Sequence, residues 1–127
     1  MNKQTVSTQN APAAIGPYSQ GVKVGNLIFT SGQLPMNPQS GELVANIEGA
    51  TKQSLDNVKA ILESAGSSMG KIVKTVVFLR DMNDFVAMNA VYATYFPSNP
   101  PACSAVQVAR LPKDAVVEIE AIALVDG

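Results

Sequence analysis

Leu55, Val58, Ile61, Leu62 and Ala65 recur at helical spacing, i, i+3, i+6, i+7 and i+10, so one helix face is apolar from about Ile47 to Ala65. Gly66 follows as a natural C-terminal cap. On both sides of this stretch the period is that of strands. "GVKV" and "LIFTSG" flank the two-residue turn Gly25-Asn26, whose first central glycine suits a primed hairpin turn. "KIVKTVVFLRDM" is too short, too β-branched and too continuously apolar for a surface helix, and is expected to be a buried strand. A second helix is expected from near Asn83, with Phe85, Met88, Tyr92, Tyr95 and Phe96 on one side and Pro97 ending it. Two further strands flank "RLPKD". The short "KQTVST" near the start is strand-like, and Pro12, Gly16 and Pro17 make the segment after it an ordered loop.

The expected fold is therefore α+β with the order β-β-α-β-α-β-β, in one domain spanning residues 1–127. Helices that cross over between parallel strands should share one face of the sheet. The other face would carry Val, Ile and Leu together with Glu, and 46% of the chain is hydrophobic against 15% charged. Neighbouring subunits are the expected cover for that face.

Charge and residue inventory exclude several chemistries. A net charge of -1, with scattered basic residues, provides no footprint for nucleic acid or for an anionic membrane. The chain has no histidine and one cysteine, so a metal site and a cysteine nucleophile paired with a histidine base are both unsupported. Phosphate-cradling glycine motifs are also missing, and no cofactor is expected. No charged stretch followed by an apolar run opens the chain, and the expected location is the cytoplasm.

The remaining candidates are few. Glu118 and Glu120 lie two residues apart on one strand face beside aliphatic neighbours, an arrangement that raises carboxylate pKa values and prepares proton transfer. The same spacing also fits a sheet edge or an intersubunit salt bridge. Tyr18, in a loop stiffened by Pro17, fits either a pocket wall or a lid over the core. Gly32, after Ser31, lets backbone approach a ligand closely, or marks a bulge. Cys103 reads as a small hydrophobe, and Arg110, on the opposite strand face, as structural.

Six stretches together narrow the choice: "APAAIGPYSQG", "FTSGQLP", "QSLDNVKAILESAG", "VKTVVFLRDMNDF", "NAVYATYF" and "VQVARLPKDAVVEIEAIA". From about Thr5 to Val125 the chain resembles the Rid, or YjgF, family of reactive intermediate deaminases. The resemblance implies a chorismate-mutase-like fold assembled as a homotrimer with sites in the clefts between subunits. It implies hydrolysis of 2-imino and 2-enamino acids, shed by pyridoxal-phosphate enzymes such as threonine dehydratase, to 2-oxo acids and ammonia, without metal or organic cofactor. By the same resemblance Tyr18 walls the pocket, Ser31 and Gly32 form its floor, and Asn89 lines the neighbouring side. The Ala105 amide would donate to the substrate carboxylate, and Glu118, supported by Glu120, would orient the attacking water. The chain departs from the family pattern "PxRSCV" at Cys103, where the family has a carboxylate-gripping arginine, and at Ala105, where it has cysteine. A thiol cannot replace that ion pair. The alternative implied is a non-catalytic trimer that binds a small ligand or regulates, for example in purine or branched-chain amino-acid metabolism.

Overall fold

The computed structural model describes residues 2–126, so Met1 and Gly127, the ends of the expected 1–127 domain, lie outside the described residues. Strands β1 (Lys3–Val6), β2 (Gly21–Val24) and β3 (Leu27–Thr30) precede helix α1 (Ile47–Ser64) and strand β4 (Ile72–Leu79). Helix α2 (Phe85–Tyr95) and strands β5 (Ala102–Gln107) and β6 (Val117–Leu124) complete the chain. The six strands form one mixed sheet in the order β1-β2-β3-β6-β4-β5. Only β4 and β5 are parallel neighbours, and α2 is the crossover between them. Strands β3 and β4 are each antiparallel to β6, hence parallel to one another, and α1 connects them.

The expected α+β class holds, with one strand more than the seven-element order: "KQTV" joins the sheet edge as β1. The β2–β3 turn has Gly25 at φ 58° while Asn26 keeps a negative φ, the primed turn that needs glycine first. In β4 the register slips between Ile72 and Lys74, leaving Val73 as the extra residue of a bulge.

Helix α1 forms where capping and periodicity agree. The Asn46 side chain accepts a hydrogen bond from the Gly49 amide at 2.7 Å, satisfying one of the free N-terminal donors. At the other end Gly66 takes φ 86°, its amide donates to the Glu63 carbonyl at 3.2 Å, and Ser67 donates to the Leu62 carbonyl at 2.8 Å. This pair of bonds is a Schellman ending, which needs a left-handed residue. Leu55, Val58, Ile61 and Leu62 are fully buried, each contributing about 1.5–3 kcal/mol of apolar transfer.

Both helices pack on one face of the sheet. Along β6 the alternate residues Val117, Ile119, Ala121 and Ala123 are buried against them, as are Thr75, Val77 and Leu79 of β4. Helix α2 docks through Tyr92, whose hydroxyl shares a 2.6 Å hydrogen bond with buried Thr75. Burial pushes the Tyr92 phenol up to about 12, and the neighbouring Cys103 thiol adds to the rise. Tyr95 ties the helices together by donating to the Asp56 carboxylate at 2.6 Å. The opposite face carries Glu118, Glu120, Ile122 and Leu124, together with Phe78 and Phe29 in register beside them. Among the described residues no helix is long and apolar enough to cross a membrane.

Candidate active site

Three loops meet where β6 begins. The loop after β1 brings Ile15 and Tyr18, the segment leaving β3 brings Ser31 and Gly32, and the loop after β5 brings Pro112 and Lys113. Together with Glu118 they enclose an open cleft of about 480 Å³.

The floor is fixed by backbone pairing. Gln33 exchanges both backbone hydrogen bonds with Ile119, at 2.8 and 3.1 Å, so the segment after β3 runs beside β6. Gly32 then passes directly over the Glu118 side chain. A Cβ at position 32 would stand 2.7 Å from Glu118 Cδ and 2.9 Å from Oε1, so a side chain there would push the Glu118 carboxyl from its place. Glycine here leaves that carboxyl its space, and backbone freedom is not the reason. Ser31 is held through its amide, which donates to the Gln20 carbonyl at 2.8 Å, and through its hydroxyl, which donates to the Ser19 carbonyl.

The first loop owes its order to Gln20, buried at 4% exposure. Its amide nitrogen donates to the carbonyls of Thr8, Ala11 and Pro12, and its oxygen accepts from the Thr8 amide at 2.6 Å. Tyr18 is thereby carried at the cleft rim, half-exposed, next to exposed Ile15.

Glu118 is half-buried at the cleft floor. Burial, and secondarily the charge of Glu120, hold its carboxyl above the usual glutamate range. Glu120 lies one pair further along β6, opposite Val76, and is half-buried on the same open face. A carboxylate so placed is better able to take a proton from water and return it than an ordinary glutamate.

Tyr18, Ser31, Gly32 and Glu118 thus line one cleft, while the other expected site residues stand elsewhere on the same subunit. Asn89 is exposed on α2. Cys103 and Ala105 lie on β5 at the far sheet edge, in register with Thr75 and Val77. Cys103 is exposed and projects on the helix-bearing face, opposite to Glu118. Arg110 is not on a strand face as expected: β5 stops at Gln107, and Arg110 pairs with Asp114 in the following loop at 2.8 Å. Gln20, Gln33 and Lys113 went unnoticed in the sequence. The two glutamines act through backbone partners that local sequence does not reveal, whereas "PKD" after a strand marks a turn with a cation in it. Among the described residues no three His, Cys, Asp or Glu side chains converge as metal ligands.

The endoribonuclease L-PSP family model matches residues 8–125. A protein of Escherichia coli (strain K12) named 2-iminobutanoate/2-iminopropanoate deaminase is 57% identical over 124 residues, covering 95% of this chain and 97% of its own. The chain belongs to the Rid, or YjgF-type, family. The solved Rid structures agree with the fold. That of the E. coli YjgF gene product has a TM-score of 0.91 at 56% identity, covering 95% of this chain and 98% of its own. That of E. coli TdcF with bound serine has a TM-score of 0.94 at 51% identity, covering 97% and 99%.

Proposed function

We propose that this chain hydrolyses 2-iminobutanoate and 2-iminopropanoate to 2-oxo acids and ammonia. The observation that carries the proposal is the Glu118 carboxyl, held above its usual range against Gly32 at the floor of a cleft. The imine carbon is already electrophilic, so the reaction needs a directed water and one proton carrier. Glu118 accepts a proton as water adds to the C=N carbon and gives it to the nitrogen, then carries the hydroxyl proton of the tetrahedral adduct to the same nitrogen as the C–N bond breaks, the C=O forms and ammonia leaves. A raised pKa suits both halves of this exchange. Glu120 sustains it by disfavouring a second negative charge nearby.

The open sheet face supports a homotrimer in which a neighbour closes each cleft. Asn89, Cys103 and Ala105, remote from the cleft of their own chain, are then the neighbour's contribution. The Ala105 amide donates to the substrate carboxylate there. A small, cofactor-free cytoplasmic enzyme of amino-acid metabolism is the result of this reading. The net charge of -1 counts against nucleic-acid cleavage as the activity.

One observation favours a second reading, a trimer that binds or senses a small ligand without turning it over. Cys103 is an uncharged thiol where the resemblance leads one to expect arginine. Purified protein added to threonine dehydratase and threonine decides between them. The deaminase reading expects faster 2-oxobutanoate release, and Glu118→Gln should lower kcat/KM about 10²–10⁴-fold, as loss of a general base does. No acceleration over buffer, with activity appearing only in Cys103→Arg, establishes the second reading.

A further inference from the structure

The loop after β5 contains two consecutive left-handed residues that are not glycine, Lys113 at φ 57° and Asp114 at φ 55°. Such conformations are sparsely populated and persist only where the surroundings impose them. Here the surroundings are two arginines and two turn bonds. Arg110 Nε donates to the Asp114 carboxylate at 2.8 Å, and Arg80 Nη1 donates to the Asp114 carbonyl at 3.2 Å. The Asp114 amide donates to Leu111 at 3.1 Å and the Ala115 amide to Pro112 at 3.2 Å. The loop backbone is therefore braced, and Lys113 is the charged side chain it presents to the cleft, beside Pro112.

Charge makes this placement pointed. Among the described residues, the side chains lining the cleft include a single cation, Lys113, and a single anion, Glu118. The salt bridges among the described residues join Lys52 to Asp56, Lys71 to Asp126 and Arg110 to Asp114, leaving the Lys113 ammonium unpaired. Asp114 beside it is already engaged by Arg110. The cleft thus offers one positive end and one negative end in otherwise largely apolar walls such as Ile15, Leu34 and Met36. A 2-imino acid carries a carboxylate on the carbon next to an electrophilic C=N, which is the complementary pattern.

We infer that Lys113 pairs with the substrate carboxylate, alongside the Ala105 amide of a neighbouring subunit, and so turns the C=N carbon toward Glu118. The inference rests on the deaminase reading and names the group that selects an anionic substrate within it. Lysine suits this use because its ammonium is a compact charge on a long stem, able to follow a small ligand. The braced backbone limits the motion that must be arrested on binding to the side chain alone.

Lys113→Gln, Lys113→Arg and Lys113→Gly test the assignment in the full-length protein. For Lys113→Gln the dissociation constant of 2-oxobutanoate, measured by calorimetry, should rise about five- to tenfold, the scale of one partly exposed charge-assisted contact. Its KM for the imine should rise alike with kcat nearly unchanged, and the salt dependence of binding should flatten. Lys113→Arg should restore binding to within about twofold, since it restores the charge. Lys113→Gly should melt higher than the parent, because glycine accepts the positive φ, yet bind as weakly as Lys113→Gln. That split separates charge from backbone strain. If Lys113→Gln binds 2-oxobutanoate and turns over imine as the parent does, the inference falls while the deaminase reading stands. If the parent itself neither binds 2-oxobutanoate nor accelerates imine hydrolysis, both fall.

Discussion

Glu118 sits where a carboxylate is useful and uncomfortable at once. Burial and the neighbouring Glu120 raise its folded pKa above the unfolded one, so the native state holds the proton more tightly than the unfolded chain does. Ionisation therefore works against folding. The penalty is absent below the ordinary glutamate value and complete once the pH has passed the raised one. Glu118→Gln, which removes the charge while keeping the shape, should melt above the parent at about pH 8. The gap should close as the pH falls to about 4, near the unfolded glutamate value. Thermal melts across that range check it, and a gap that ignores pH would falsify the account of this carboxyl. The residue was legible because two acids spaced by one position must share a strand face. Its closest partner was not. That Gly32 passes so close that a Cβ there would stand 2.7 Å from its carboxyl carbon depends on the Gln33–Ile119 pairing, a contact between distant parts of the chain.

Elements were legible in proportion to how many local signals agreed. In α1 the apolar period and a C-terminal glycine coincide, and its expected span differs from the observed Ile47–Ser64 by a single residue. The β2–β3 hairpin was legible from the strand-like runs on either side of Gly25-Asn26, and Gly25 takes the positive φ of 58° that such a turn needs. By contrast β1, strand-like in the sequence but left out of the expected element order, has four residues with little burial, and its place at the sheet edge depends on pairing with β2. The loop from Thr8 to Gln20 gives the least local warning of its shape, because its organiser lies at its end and bonds backward over as many as twelve residues. Gln20→Leu should therefore cost more than its size suggests. It strips partners from three carbonyls and one amide, and about 2–3 kcal/mol is the expected loss for such buried groups. Urea unfolding measures that loss. Hydrogen exchange should quicken first in residues 8–20, with activity falling as Tyr18 loses its seat. If exchange rises evenly over the chain, Gln20 is not the organiser of the loop.

At the scale of the molecule, the sheet has one face sealed by α1 and α2 and one face without a cover of its own. Phe29, Val106 and Leu124 remain 38%, 43% and 42% exposed, in register with the rows that hold Glu118 and Ile122. Apolar surface of this kind costs free energy in water and is recovered when like faces meet around a symmetry axis. The open apolar face was legible from the alternation of Val, Ile and Leu with Glu. How copies would turn against one another in the proposed trimer was not, because that depends on sheet twist and edge geometry that no single stretch encodes. The proposed trimer would also give Asn89, Cys103 and Ala105, which do not line the cleft of their own chain, a neighbour's cleft to face. The double variant Phe29→Lys, Val106→Lys places like charges on the open face and should dissociate the assembly. Sedimentation at micromolar concentration should find the parent as a trimer and the variant as single chains, and imine hydrolysis should fall with dissociation. A parent that sediments as a fully active single chain would place the whole reaction in the cleft of one subunit and remove the argument for a shared site.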